Sequence, residues 1–137
     1  MKHSIDVRVY YEDTDAGGIV YHANYLKFAE RGRTEFLRST GFDNSSINKI
    51  HNAIFVVRHI DIDYLKPALL DDLLQLETTI SELKNSSFIM HQRAVKNSEV
   101  IADMRVVLVC VDTDTYKPVR LPENVKEAFK CYSERVE

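Results

Sequence analysis

Three carboxylates crowd one short stretch of this chain. Glu12, Asp13 and Asp15 lie in Tyr11-Glu12-Asp13-Thr14-Asp15-Ala16-Gly17-Gly18, which runs on into Ile19-Val20-Tyr21-His22-Ala23-Asn24-Tyr25. Like charges this close repel, and in a partly buried loop at least one of them takes up a proton more readily. Gly17 and Gly18 let the backbone come close to a ligand. A helix beginning after His22 would point free N–H groups and a partial positive charge back at the loop. A carboxylate beside an oxyanion-binding helix end suits acyl-transfer hydrolysis. The plainer reading of the same residues is an acidic turn that caps a helix, because Asp caps are common.

Other chemistries lack their residues. There is no G-x-S-x-G elbow, H-E-x-x-H, C-x-x-C, Walker loop or G-x-G-x-x-G. His3, His22, His51, His59 and His91 are not spaced as a metal cluster, so neither a metal nor another cofactor is expected. His59 and His91 fall on strand patterns, where a lone histidine is more often a packed or surface residue. The string DTD recurs at Asp112–Asp114, but Thr115-Tyr116-Lys117-Pro118 follows it, so it reads as a structural turn.

The elements around the acidic loop follow from periodicity. Ile5 to Tyr11 alternates and is β-branched, the pattern of a strand. Asn24 is a candidate N-cap for a helix from Tyr25 to about Arg38, with Tyr25, Phe28, Ala29, Gly32 and Phe36 on one stripe. Arg31 and Glu35 are spaced as an i, i+4 pair. Gly32 in mid-helix predicts close approach of a sheet, and Gly41 closes the helix region. Four long strands follow. Their predicted inner faces are Ile54, Val56, Ile60, Ile62 and Tyr64; then Leu74, Leu76, Thr78 and Ile80; then Phe88, Met90 and Ala94; then Ala102, Met104, Val106, Leu108 and Cys110. Lys66-Pro67 marks an edge or bulge, and Asn85-Ser86 and Asn97-Ser98 mark hairpin turns. A terminal helix is predicted over Glu123–Ser133, started by Pro122.

One hydrophobic helix and a run of antiparallel strands make an α+β fold in which the sheet wraps the helix. The 137 residues fit a single domain spanning 1–137, and the length supports a core without disulfides. The last strand is apolar on both faces near Val107–Val111, which predicts a second layer, most simply another copy of the chain. The net charge of −3 argues against a nucleic-acid partner. No apolar run approaches a signal peptide or a membrane span, and Cys110 and Cys131 sit in different contexts. A cytoplasmic protein with free thiols is expected.

The run VRVYYEDTDAGGIVYHANYLKFAERGRTEFLR strongly resembles the N-terminal signature of hot-dog-fold acyl-CoA thioesterases. It is most similar to the YbgC type associated with the Tol–Pal operon, and more distantly to the 4-hydroxybenzoyl-CoA thioesterases. The likeness covers about 30 residues almost without gaps, and the strand order of the remainder agrees. It implies a helix wrapped by a five- or six-stranded antiparallel sheet, assembled as a homodimer or homotetramer with sites at the subunit interface. By resemblance, the catalytic aspartate falls on Asp15, and the residue whose N–H polarises the thioester carbonyl falls on His22. The His22 side chain and Tyr11 are also implicated. Gly32 stands where the family usually has alanine, a departure that touches packing. Lys84-Asn85-Ser86-Ser87 resembles the family segment near CoA, so Lys84, Ser86 and Ser87 are candidate substrate contacts, although they also suit an ordinary hairpin turn. The expected substrate is an acyl-CoA, or an acyl group on acyl carrier protein. Two other readings use the same groove: a non-catalytic acyl or acyl-carrier-protein binding module, and a hot-dog hydratase or dehydratase.

Overall fold

The computed structural model describes residues 1–134. Its elements run β1 (His3–Arg8), a 3₁₀ turn (Tyr11–Asp13), α1 (Asn24–Ser39), α2 (Asn44–His51), β2 (Ala53–Tyr64), β3 (Leu73–Leu83), β4 (Ser87–Lys96), β5 (Glu99–Asp112) and α3 (Glu123–Lys130). The five strands form one antiparallel sheet in the order β1-β3-β4-β5-β2. The sheet curls around α1, as expected.

Burial of the α1 stripe holds the two layers together. Tyr25, Phe28 and Ala29 pack against Leu74, Leu76, Ala94 and Met104 in one half of the core. Phe36 and Leu37 pack against Ile80, Phe88, Val106 and Phe129 of α3 in the other half. Gly32 marks the closest approach between them. A Cβ there would collide with the Leu76 side chain and press on Gln92. The missing side chain therefore sets how near the helix can lie to β3 and β4.

Several expectations need correction. β1 ends at Arg8, and Tyr11 opens the 3₁₀ turn instead of continuing a strand. Ala23, not Asn24, occupies the cap of α1, and the Asn24 side chain is used elsewhere. Glu35 pairs with Arg38 at 2.7 Å and not with Arg31; carboxylate-before-cation is the favoured order on a helix. Helix α2 carries only one buried residue, Ile47, so it leaves no apolar stripe to read. Its local signal was the Asp43/Ser46 box, in which Asp43 Oδ1 accepts the Ser46 N–H at 2.7 Å.

On β2 a bulge between Val57 and His59 switches faces. Phe55 and Val57 stand opposite the inward Cys110 and Leu108, whereas Ile60, Ile62 and Tyr64 stand opposite Val106, Met104 and Ala102. Ile54 and Val56 therefore face away from the core, contrary to the simple alternation. The terminal helix stops at Lys130, short of Ser133, which instead bridges to Ile80.

Other readings hold. Asn97 and Ser98 take φ of 51° and 66°, as a tight hairpin requires. β2 lies at the sheet edge and ends before Lys66-Pro67. The second DTD is a turn: Asp112 Oδ1 accepts the N–H groups of Asp114 and Thr115 at 2.8 and 3.0 Å, which lowers the pKa of its carboxyl. Both cysteines are free, and burial pushes the Cys110 thiol up to about 11. Val107, Val109 and Val111 are each under a tenth exposed within one chain.

His91 is a strap on the outer sheet face. Its Nδ1 meets Glu134 Oε2 at 2.7 Å and its Nε2 meets Asp103 Oδ1 at 2.6 Å. Burial alone would lower its pKa, but the hydrogen bonds and charges of the two carboxylates carry the net shift upward. Because the folded pKa is raised, this stabilisation is complete below the ordinary value of 6.5 and is lost as pH rises through the higher folded value. A His91→Gln variant is expected to flatten the decline of Tm with rising pH, followed by thermal melts from about pH 5.5 to 8.5. An unchanged slope removes His91 from the account.

Candidate active site

The acidic loop is built by hydrogen bonds that fold it back against the sheet. Val9 is anchored on the turn just before β3: its N–H donates to Asp72 O at 2.8 Å and its carbonyl accepts the Asp71 N–H at 3.0 Å. The chain then turns, and the Tyr10 N–H donates to Asp13 Oδ2 at 2.8 Å. Asp13 is thus a buried structural carboxylate, 8% exposed. Beyond it, Thr14 bridges Val20, and the Asp15 N–H donates to Ile19 O at 2.9 Å. Asp15 to Ile19 therefore forms a tight turn, closed by Gly18 N–H to Asp15 O at 3.0 Å. Gly18 takes φ of +81°, a conformation that favours glycine. The Gly17 N–H donates to Asp15 Oδ1 at 2.8 Å and so orients the carboxylate.

A second set of bonds ties this turn to the start of α1. The Asp13 carbonyl accepts both the Tyr21 N–H, at 2.9 Å, and Asn24 Nδ2, at 2.9 Å. Asn24 is 8% exposed, so this clamp is shielded from water. The Val20 N–H donates to Ala68 O at 2.9 Å, which fixes the returning arm to the segment before β3. Tyr64, at the end of β2, donates its hydroxyl to His22 O at 3.0 Å. Its ring stands edge-on to the His22 and Tyr25 rings, and Tyr21 packs beside His22 with centroids 4.5 Å apart. Among the described residues, no main-chain carbonyl receives the N–H of His22 or Ala23. The start of α1 therefore carries uncommitted donors and the positive end of the helix dipole.

The expected residues divide into two groups. Asp15 lies in the turn that follows Asp13, whose carbonyl accepts from Tyr21 and Asn24 on either side of His22. Tyr11 opens the 3₁₀ turn, with its side chain 82% exposed and its carbonyl accepting from Thr14. Asp15 is exposed in the single chain. Of the three carboxylates only Asp13 is buried, and its Oδ2 accepts the Tyr10 N–H.

Lys84, Ser86 and Ser87 lie elsewhere. The acidic loop sits at the Leu73 end of β3 and the Lys84 hairpin at the other, roughly 30 Å along an extended strand. There the Lys84 N–H donates to Ser87 O at 2.8 Å, the bond of an ordinary hairpin, and Ser86 O accepts the N–H of Cys110 on β5 at 2.8 Å. Asn24, Asp13 and Tyr64 were missed as site residues. Asn24 has the composition of a cap, and nothing near Tyr64 in sequence points to His22, 42 residues away.

A helix wrapped by an antiparallel sheet, with a carboxylate-bearing turn tied to the helix start, is the arrangement of a hot-dog thioesterase. The family model of the thioesterase-like superfamily matches residues 9–129. An acyl-CoA thioesterase YbgC of Haemophilus influenzae is 48% identical over 126 residues, covering 92% of this chain and 93% of that protein. The long-chain acyl-CoA thioesterase FadM of Escherichia coli is 34% identical, covering 95% and 97%. The crystal structure of a probable thioesterase from Bartonella henselae superposes with a TM-score of 0.85 at 41% identity, covering 89% of this chain and all of that one. The chain belongs to the thioesterase-like superfamily and, within it, to the YbgC-type thioesterases. Among the described residues no helix is long and apolar enough to cross a membrane.

Proposed function

We propose that the protein hydrolyses acyl-CoA thioesters to a free acid and CoA, with Asp15 as general base on a water or as nucleophile. The observation that carries this reading is the network joining Asp15 to the start of α1 through the Asp13 carbonyl. These bonds tie the turn that bears Asp15 to a helix start whose His22 and Ala23 N–H groups have no main-chain acceptor among the described residues, which supports a reading in which both act on one thioester. The names of the Haemophilus and Escherichia relatives supply the substrate class.

The chemistry asks little more of the protein. A thiol with a pKa near 8.5 leaves as thiolate at about neutral pH without a strong general acid. General-base help contributes about 10²–10⁴ in rate, and one oxyanion donor about 10²–10³. Acting independently, the two give roughly 10⁴–10⁷, within the range of working enzymes. In this reading the backbone N–H at His22 polarises the thioester carbonyl. The His22 and Tyr11 side chains orient water or substrate from the solvent side of the loop.

A second copy of the chain completes the site. Asp15 is exposed in one chain, and Lys84, Ser86 and Ser87 are a strand length away. Around the loop, Ile19, Tyr21, Tyr64, Leu65, Leu69 and Leu70 are between 36% and 57% exposed, an apolar collar unusual for a free surface. Among the described residues β2, 12 residues long, is an edge strand of the sheet. Antiparallel pairing there brings the far end of one chain beside the near end of the other. Lys84, Ser86 and Ser87 of a neighbouring copy then supply polar contacts to CoA, in a homodimer or homotetramer.

Thiol release across a panel of short, long and aromatic acyl-CoA thioesters, with an acyl-carrier-protein thioester alongside, tests the activity and its carrier. Free thiol is the expected product. Intact thioester recovered bound to the protein after long incubation favours the binding-module reading. Hydration of an enoyl group without thiol release favours a hydratase.

A further inference from the structure

Beyond Asn24 in its first turn, the buried face of α1 is apolar: Tyr25, Phe28, Ala29, Gly32, Phe36 and Leu37. Apolar contacts hold a helix on a sheet without direction, so by themselves they fix its position along its own axis only loosely. That position matters here. The acidic loop has its own anchors, Val9 on Asp72 and Val20 on Ala68, whereas the donors at the helix start move with α1. One polar group interrupts the inner face of the sheet. Gln92 of β4 is fully buried, as is Thr78 opposite it on β3. Gln92 Nε2 donates to Ala29 O and to Thr78 Oγ1, both at 3.0 Å, and its Oε1 accepts from Arg33 Nη1 at 3.2 Å. Among the described residues, the side-chain hydrogen bonds that join a strand to α1 run through this amide.

The helix does not need this amide for its own hydrogen bonding. The carbonyl of a mid-helix residue such as Ala29 already has a partner in the ordinary i, i+4 pattern. Burying an amide is costly, and an apolar side chain of the same length would fill the place without that cost. What the amide adds is direction: a main-chain carbonyl stands at one height on the helix, so a bond to it sets register. Gly32 is the second observation. It lies three positions after Ala29 on the same face, and a Cβ there would stand 3.0 Å from Gln92 Nε2 and collide with the Leu76 side chain. Glycine is a poor helix residue, yet here it opens the space through which Gln92 reaches the helix backbone.

We propose that Gln92 is a positioning residue: its bond to Ala29 O, made possible by Gly32, pins α1 along its axis and so sets the helix start against the loop that bears Asp15. Ala29 is five residues from Asn24, about 7.5 Å along a rigid helix, so a slip at Ala29 arrives undiminished at His22. Only the kinetic half of the test rests on the thioesterase reading.

The double variant Gln92→Met/Thr78→Val removes the bonds and leaves apolar side chains of similar size, so its Tm is expected to stay within about 5 °C of the parent. Amide hydrogen exchange at Tyr21, whose N–H donates to Asp13 O, reports the docking of the helix start without any turnover. That exchange is expected to quicken by about tenfold or more, with the amides of β2 and β5 unchanged. Thiol release from an acyl-CoA by the same variant, where it is fully folded, is expected to show kcat lowered by about tenfold and KM within about twofold. Thr78→Val alone keeps the bond to Ala29 O and is expected to lose no more than about threefold in kcat. Gly32→Ala presses on Gln92 while leaving it in place; it is expected to quicken the same exchange and takes over the test if the double variant does not fold. Unchanged exchange at Tyr21 overturns the proposal, and so does an unchanged kcat in a folded variant whose parent releases thiol. If the parent releases no thiol, the thioesterase reading has failed, and the exchange result alone decides for Gln92.

Discussion

Asp15→Asn is expected to lower kcat/KM for an acyl-CoA by about 10²–10⁴-fold, the worth of a positioned oxygen base. The substitution is close to isosteric. The Asn side chain keeps a carbonyl oxygen that can accept the Gly17 N–H, so the turn that holds residue 15 is preserved. Asp15 is exposed and forms no ion pair among the described residues, so stability should move by no more than about 0.5 kcal/mol. The discriminating result is thus lost turnover at an unchanged Tm and unchanged oligomeric state. Activity within a few-fold of the parent enzyme, measured by thiol release, removes Asp15 from the reaction and with it the proposed mechanism. Asp13→Asn makes the instructive contrast. It disturbs a buried carboxylate that accepts the Tyr10 N–H, so it should cost stability first and activity only in consequence.

The second large effect is expected at Asn24. Its side chain is the buried link between the acidic loop and α1. Asn24→Ala removes the Nδ2 donor and leaves the Asp13 carbonyl with the Tyr21 N–H alone. Loss of a buried hydrogen bond costs about 1–2 kcal/mol of stability. The catalytic loss should be larger than that implies, because a displacement of about 1 Å between reacting groups can cost about 10²-fold in rate. A fall of at least about tenfold in kcat is therefore expected at temperatures where the variant is fully folded, with KM changed less. Tyr64→Phe, which deletes only the hydroxyl bond to His22 O, serves as the milder partner and should reduce kcat by a few-fold. If Asn24→Ala loses stability but keeps its kcat, the clamp is structural and the helix start does not need it to face Asp15.

Much of this site was readable along the chain because its parts are close in sequence. Asp15, Gly17, Gly18 and His22 span eight positions, and turn chemistry at that range follows from local conformational preference. The inner faces of β3, β4 and β5 were also legible, since strict alternation survives wherever pairing is regular. β2 was misread because its bulge adds a residue and reverses the alternation, and no composition signal marks Val57 to His59. Asn24 was misassigned because a polar residue at a helix start looks the same whether it caps the helix or reaches across to Asp13.

The amino-acid order carried the acidic turn, the helix stripe and the strand periodicity, since each depends on preferences acting within a few residues. What arose only on folding depends on groups brought together from far apart in the chain. Asn24 meets the Asp13 carbonyl across a closed loop, Tyr64 reaches His22 from the last residue of β2, and Gln92 holds Arg33 from β4. The exposure of Asp15 belongs to the same class. Local repulsion among three carboxylates says nothing of which one the sheet will cover, and packing covered Asp13 while leaving Asp15 facing outward.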